Sequence, residues 1–96
     1  PVVFHRLVQK DLRAILAYYE TEAGPALADR FFDEVALLVA HLERQPLRFH
    51  EIAPGLRRAN LASFPHHLLF RVTPAGPRVL VLRHHSRHPR LGLHRR

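Results

Sequence analysis

The sequence predicts an α+β fold: a helical hairpin packed on one face of a small, mostly antiparallel sheet, in the order β-α-α-β-β-β. Three observations lead there. Two apolar stripes of helical period fill residues 8–42, separated by Gly24-Pro25. After residue 66 the apolar period changes to two. The turn sequence Thr73-Pro74-Ala75-Gly76-Pro77 then splits that stretch into a hairpin. With 96 residues the chain can bury one core, so residues 1–96 read as a single domain.

Taken in order, Val2 to Leu7 is short, rich in β-formers and reads as a strand. Val8, Leu12, Ile15, Leu16 and Tyr19 then form one helical stripe. Gly24 suits the end of that helix, and Pro25 suits the first turn of the next. Leu27, Phe31, Val35, Leu38 and Leu42 make the second stripe, broadened by Phe32 and Val39, and it stops before Pro46. So short a junction folds the two helices back on each other. Residues 46–55, with two Pro and a Gly, read as a connector. Leu56 to Ala62 is a weaker strand, because Arg57-Arg58 interrupts its pattern. His67, Leu69, Arg71 and Thr73 alternate with Leu68, Phe70 and Val72; Val79, Val81 and Arg83 alternate with Leu80 and Leu82. The basic tail, residues 84–96, carries Pro89 and Gly92 and is expected to leave the sheet and partly fray. One sheet face is then open, with Arg and His side chains around it.

Composition narrows the function classes. There is no Cys, which excludes disulfides, thiolate metal sites and Cys nucleophiles, and suits a cytoplasmic protein. No apolar run approaches the ~18–20 residues of a membrane span. Pro1 to Arg6 lacks a charged leader before a long apolar stretch, so no signal peptide and no membrane partner are expected. The net charge of +7 is unevenly spread. All eight acids lie in residues 1–51, whereas residues 52–96 hold nine Arg and none. Such a half attracts phosphate or an acidic polypeptide. A GC-rich coding sequence accounts for Arg over Lys, but not for the missing acids.

His84-His85-Ser86-Arg87-His88 invites a metal reading, but Arg83, Arg87 and Arg90 surround it and no acid follows Glu51. No metal is expected there. Phosphodiester chemistry suits the residues better, since RNA cleavage by its 2′-hydroxyl needs a base, an acid and cations. Candidates are His66, His67, His84 and His85, with Arg58, Arg71 and Arg87 as clamps. The simpler reading is a solvated basic face, or one that docks an acidic partner. After Phe49 only Phe64 and Phe70 are aromatic, so base-stacking residues are few. No helix is basic enough for a helix-turn-helix reader, and there is no Gly-rich phosphate loop. Ser63 and Ser86 lack a nucleophile-elbow context. Tyr19 belongs to the core stripe, whereas Tyr18 lies off it, free to anchor a partner.

The order of elements, the length and the basic second half resemble the RelE/ParE toxin superfamily of bacterial type II toxin–antitoxin systems. The likeness rests on Tyr18-Tyr19-Glu20, Ala28 with Phe31-Phe32, Gly55-Leu56-Arg57-Arg58, the run Phe64 to Val72, and the ending Val79 to Pro89. It spans Val3 to Arg90. Phe64-Pro65 followed by an apolar run and Arg71, and His84 with Arg87 and Pro89, look most like the ParE branch. ParE-like members poison DNA gyrase; RelE-like members cut mRNA in the ribosome. The nuclease branch usually has an Arg where this chain has His67, and clustered lysines where this chain has only Lys10. The resemblance therefore implies a non-enzymatic gyrase toxin, needing no cofactor and held by a cognate antitoxin in a hetero-oligomer. The alternatives are a metal-independent endoribonuclease using His67, Arg71, His84 and Arg87, and an inactive binding module. The expected contacts for antitoxin or target are Tyr18, Arg57, Arg58, Arg83, His84 and Arg87, against an acidic-amphipathic segment.

Overall fold

The computed structural model describes residues 1–96. The two apolar stripes become helices α1 (Val8–Ala23) and α2 (Pro25–Arg44). Gly24 alone joins them, with φ at 92°, a conformation glycine adopts without steric cost. Its N–H donates to the Glu20 carbonyl, and Pro25 begins the next helix without a hydrogen-bonding N–H to lose. Strands β1 (Val3–Phe4), β2 (His50–Ala53), β3 (Leu56–Asn60), β4 (His66–Thr73) and β5 (Gly76–His84) make one sheet, ordered β1-β5-β4-β3-β2. The helical hairpin carries the chain to the far edge. The meander then returns it, so β5 lies parallel to β1 while the other neighbours are antiparallel.

The core between helices and sheet is built on Phe31, Leu42, Leu68, Phe70 and Val79, all fully buried. Phe31 meets Phe64 edge-on at 4.9 Å, and Tyr19 lies 5.3 Å from Phe64. Tyr19 thus takes its core position.

Four details depart from the sequence reading. The first strand is only two residues long. The expected connector contains β2, so four strands rather than three follow the helices. All four β2 residues are exposed, so no apolar alternation marks this edge strand. It exists through pairing, His50 with Arg58 and Glu51 with Arg57, and the Glu51 carboxylate accepts the Gly55 N–H at its turn. In β5 the strict alternation fails. A bulge opposite Leu69 and Phe70 turns both Leu80 and Val81 away from the helices, leaving Val79 and Leu82 on the helix side.

The fourth departure concerns the tail. It folds back over the sheet face away from the helices, where Leu91 and Leu93 cover Leu56, Leu69, Leu80 and Val81. Arg83 Nη1 donates to the carbonyls of His88, Pro89 and Leu91. Arg95 grips both Asp11 carboxylate oxygens at 2.6 and 3.2 Å, and donates to the Leu80 carbonyl. That face is therefore not open at its centre, although β2 and the end near β5's last residues stay uncovered. Gly92 fits because it has no Cβ, which would stand 2.5 Å from Val81 Cβ. Gly92→Val should release the tail while the helix-side core stays folded. Amide hydrogen exchange would then speed up over residues 90–96 and stay slow at Phe70 and Val79.

Candidate functional site

Strands β4 and β5 begin and end together, pairing His66 with His84 and His67 with Arg83. Successive strand residues face opposite sides, so the histidines divide into two layers. On the helix side His66 and His84 meet edge-on at 5.0 Å. On the other side His85, just past the strand, lies edge to edge with His67 in nearly the same plane, ring centres 5.0 Å apart.

Hydrogen bonding fixes the protons of the second layer. Arg83 Nε donates to His67 Nε2 at 2.9 Å. Arginine only donates, so His67 Nε2 is bare and its proton sits on Nδ1. That proton points to His85 Nδ1, 2.8 Å away. Arg58 Nη2 donates to the same atom at 3.0 Å, while Arg58 Nε is held by the Asn60 side-chain oxygen at 2.8 Å. His85 Nδ1 is thus bare, and its proton is on Nε2. His84 follows the same rule: its Nδ1 accepts the Ser86 backbone N–H at 2.9 Å, so its proton is on Nε2 as well. His66 differs, because its buried Nδ1 has no partner.

His66, His67 and His85 are poor at taking a second proton. Burial first, then the neighbouring His84 and His85, pushes His66 down to about 4. Burial, then Arg58 and Arg83, pushes His67 down to about 3. His85 is lowered by desolvation and then by Arg58. Burial and Arg58 also lower Arg83, which stays cationic at neutral pH.

Two hollows adjoin this cluster, and a third lies apart from it along the helices. A cleft of about 420 Å³ lies between α1 and the ends of β4 and β5, lined by Tyr18, Tyr19, His66, His84 and Arg87. A second, about 300 Å³, continues it between α1 and the tail, and includes Lys10 and Asp11. The two share Ala14, Ile15, His84 and Arg87. A third, about 580 Å³, is an apolar groove framed by β1, α1 and α2, with Phe4, Val8, Leu12, Phe32, Val35 and Val39 among its walls.

The structure thus brings Tyr18, His84 and Arg87 together in one cleft, and joins Arg58 to them through His85. The other expected residues lie elsewhere. Arg57 turns toward the chain before β2 and donates to the Phe49 carbonyl at 2.8 Å. Arg83 is 7% exposed and saturated by carbonyls. Arg71 sits near the far end of β4, 3.4 Å from the Pro54 carbonyl. His67 is 1% exposed. No group of three His, Asp or Glu side chains is placed to hold a metal ion. Sequence reasoning missed Lys10 and the apolar groove. The groove did leave a signal, since Phe32 and Val39 widen the α2 stripe beyond what one sheet face covers.

The chain matches, over residues 2–89, the family model described as the ParE toxin of the type II toxin–antitoxin system parDE. It belongs to the ParE toxin family of type II toxin–antitoxin systems. Its fold is similar to that of a solved structure described as a chromosomal ParDE TA system from P. aeruginosa. The TM-score is 0.77 at 23% identity, covering 86% of this chain and 92% of that one. No curated protein sequence matches the chain. No helix is long and apolar enough to cross a membrane.

The histidine cluster makes stability depend on pH. His66 and His67 stay neutral in the fold to about 4 and about 3, while unfolded histidine protonates near 6.5. Below pH ~6.5 the unfolded chain binds more protons, so stability falls by up to about 1.4 kcal/mol per pH unit for each ring. Above that pH these rings contribute no slope. Urea unfolding followed from neutral to acid pH should show this loss, and His67→Gln should reduce its steepness.

Proposed function

We propose that this ParE-family toxin acts by poisoning DNA gyrase in the cytoplasm and is neutralised by a cognate antitoxin. The observation that carries this reading is the match to the ParE model across residues 2–89. The scatter of His67, Arg71, His84 and Arg87 weighs against the ribonuclease reading. Two of them share a cleft, one is buried, and one is near the other end of its strand.

The antitoxin reading has a physical basis in two surfaces, an apolar groove and a basic end of the sheet. Ordering a disordered segment costs several kcal/mol, so it needs apolar anchors as well as charge. The groove at Phe4, Val8 and Phe32 would take the anchors of an amphipathic segment. Its acidic residues would meet Arg58 and Arg87 rather than Arg57 and Arg83, whose guanidinium groups already donate to backbone carbonyls. Tyr18, exposed beside Arg87, extends the contact.

Purified protein should abolish gyrase supercoiling and leave mRNA intact in translating ribosomes. Codon-phased cuts lost in an Arg87→Ala, His84→Ala double variant would instead establish the nuclease. Phe32 is 50% exposed, so Phe32→Asp should fold yet weaken antitoxin binding by about tenfold or more in calorimetry. The wild-type complex should also weaken as NaCl rises from about 0.1 to about 0.5 M. An affinity indifferent to salt would rule out the charge contacts.

A further inference from the structure

The uncovered end of the sheet collects hydrogen-bond donors and has almost nothing to accept them. His84 and His85 each carry the proton on Nε2, because donors occupy Nδ1 in both. Their ring centres are 6.3 Å apart. Arg58 flanks one ring and Arg87 the other. Lys10 stands further along the same cleft, and the one acid there, Asp11, is clamped by Arg95. His66, 4% exposed, lines the cleft with an Nδ1 that no group satisfies. At the mouth Tyr18 is 62% exposed, held edge-on by Tyr19 at 5.6 Å.

Such a set of donors calls for a ligand rich in acceptor oxygens, and the Tyr18 ring calls for a flat partner. A single nucleic-acid strand offers both, because its unpaired bases are free to stack while phosphates follow one another along the backbone. We propose that single-stranded nucleic acid binds around the end of β5, with a base on Tyr18 and one phosphodiester at His84 and Arg87 in the cleft beside α1, and the next at His85 and Arg58 on the other face of the sheet. A purely acidic peptide such as polyglutamate would meet the cations but would bring no flat group to the tyrosine face. His84 and His85 carry their protons on Nε2 and have Nδ1 occupied, so neither offers a bare nitrogen to take a hydroxyl proton. This inference shares Arg58, Arg87 and Tyr18 with the antitoxin reading, so antitoxin and strand would compete for the cleft; it stands apart from the gyrase reading, and its test contains neither gyrase nor antitoxin.

The test uses the full chain and a fluorescein-labelled oligodeoxythymidine of about 12 nucleotides, read by anisotropy at low salt. Wild type should bind, with affinity falling steeply as salt rises. Arg87→Ala should weaken binding about tenfold and lower the salt slope by about one. Tyr18→Ala should weaken it about fivefold or more with the slope unchanged. Arg30→Ala, on the exposed side of α2, should leave affinity as it was. Three results would overturn the proposal. One is no binding by wild type. Another is an equal loss in Arg30→Ala, which would mark diffuse charge attraction. The third is efficient displacement by polyglutamate with Tyr18→Ala at full affinity, which would assign the cleft to an acidic polypeptide.

Discussion

A buried arginine without a carboxylate governs the architecture around the site. Taking a guanidinium out of water is costly unless its donors are met. Arg83 lies on β5 with its Nε against His67 and one terminal nitrogen shared among three carbonyls of the tail. Meeting those donors ties the tail to the sheet. It also strips Nε2 of His67 of its proton, which sets Nδ1 as donor and His85 as acceptor. One cation thus orders both the chain's final turns and the polarity of the imidazoles beside them. Lysine would not substitute, since a compact ammonium lacks the planar fork that reaches ring and carbonyls together.

The helical half was readable because its signal is local. Two stripes of period 3.6 and one Gly-Pro junction are enough to fix a hairpin, and the structure follows them to within a few residues. What stayed hidden depends on partners. Strand β2 has no buried side and exists only because β3 lies next to it. The bulge at Leu80 is a property of two strands, so an alternation read along one of them assigns Val81 to the wrong face. Leu91 and Leu93, set in a polar stretch, give no periodic signal, although a pair of leucines around a glycine is what a close crossing needs.

The site was legible as chemistry and less so as geometry. Residue types alone located the cations in the second half, and Tyr18, His84 and Arg87 do converge. Type says nothing about which charges the fold already answers. Arg57, Arg71 and Arg83 each turn to backbone carbonyls, and Arg95 to Asp11. Arg58 and Arg87, which do not, are the ones beside the exposed imidazoles. Of the acids, Asp11 is clamped by Arg95, and Glu34 and Glu51 accept the backbone N–H groups of Ser63 and Gly55.

The grip of Arg95 on Asp11 joins residues 84 positions apart. Closing so long a span costs entropy before any contact rewards it, so local structure forms sooner. On the ribosome α1 is made well before Arg95, which clasps it. A nascent chain therefore passes through a stage in which the meander has emerged but its closing strap has not. During that interval Leu56, Leu69, Leu80 and Val81 have no cover of their own, and co-translational capture by another protein would compete with self-closure.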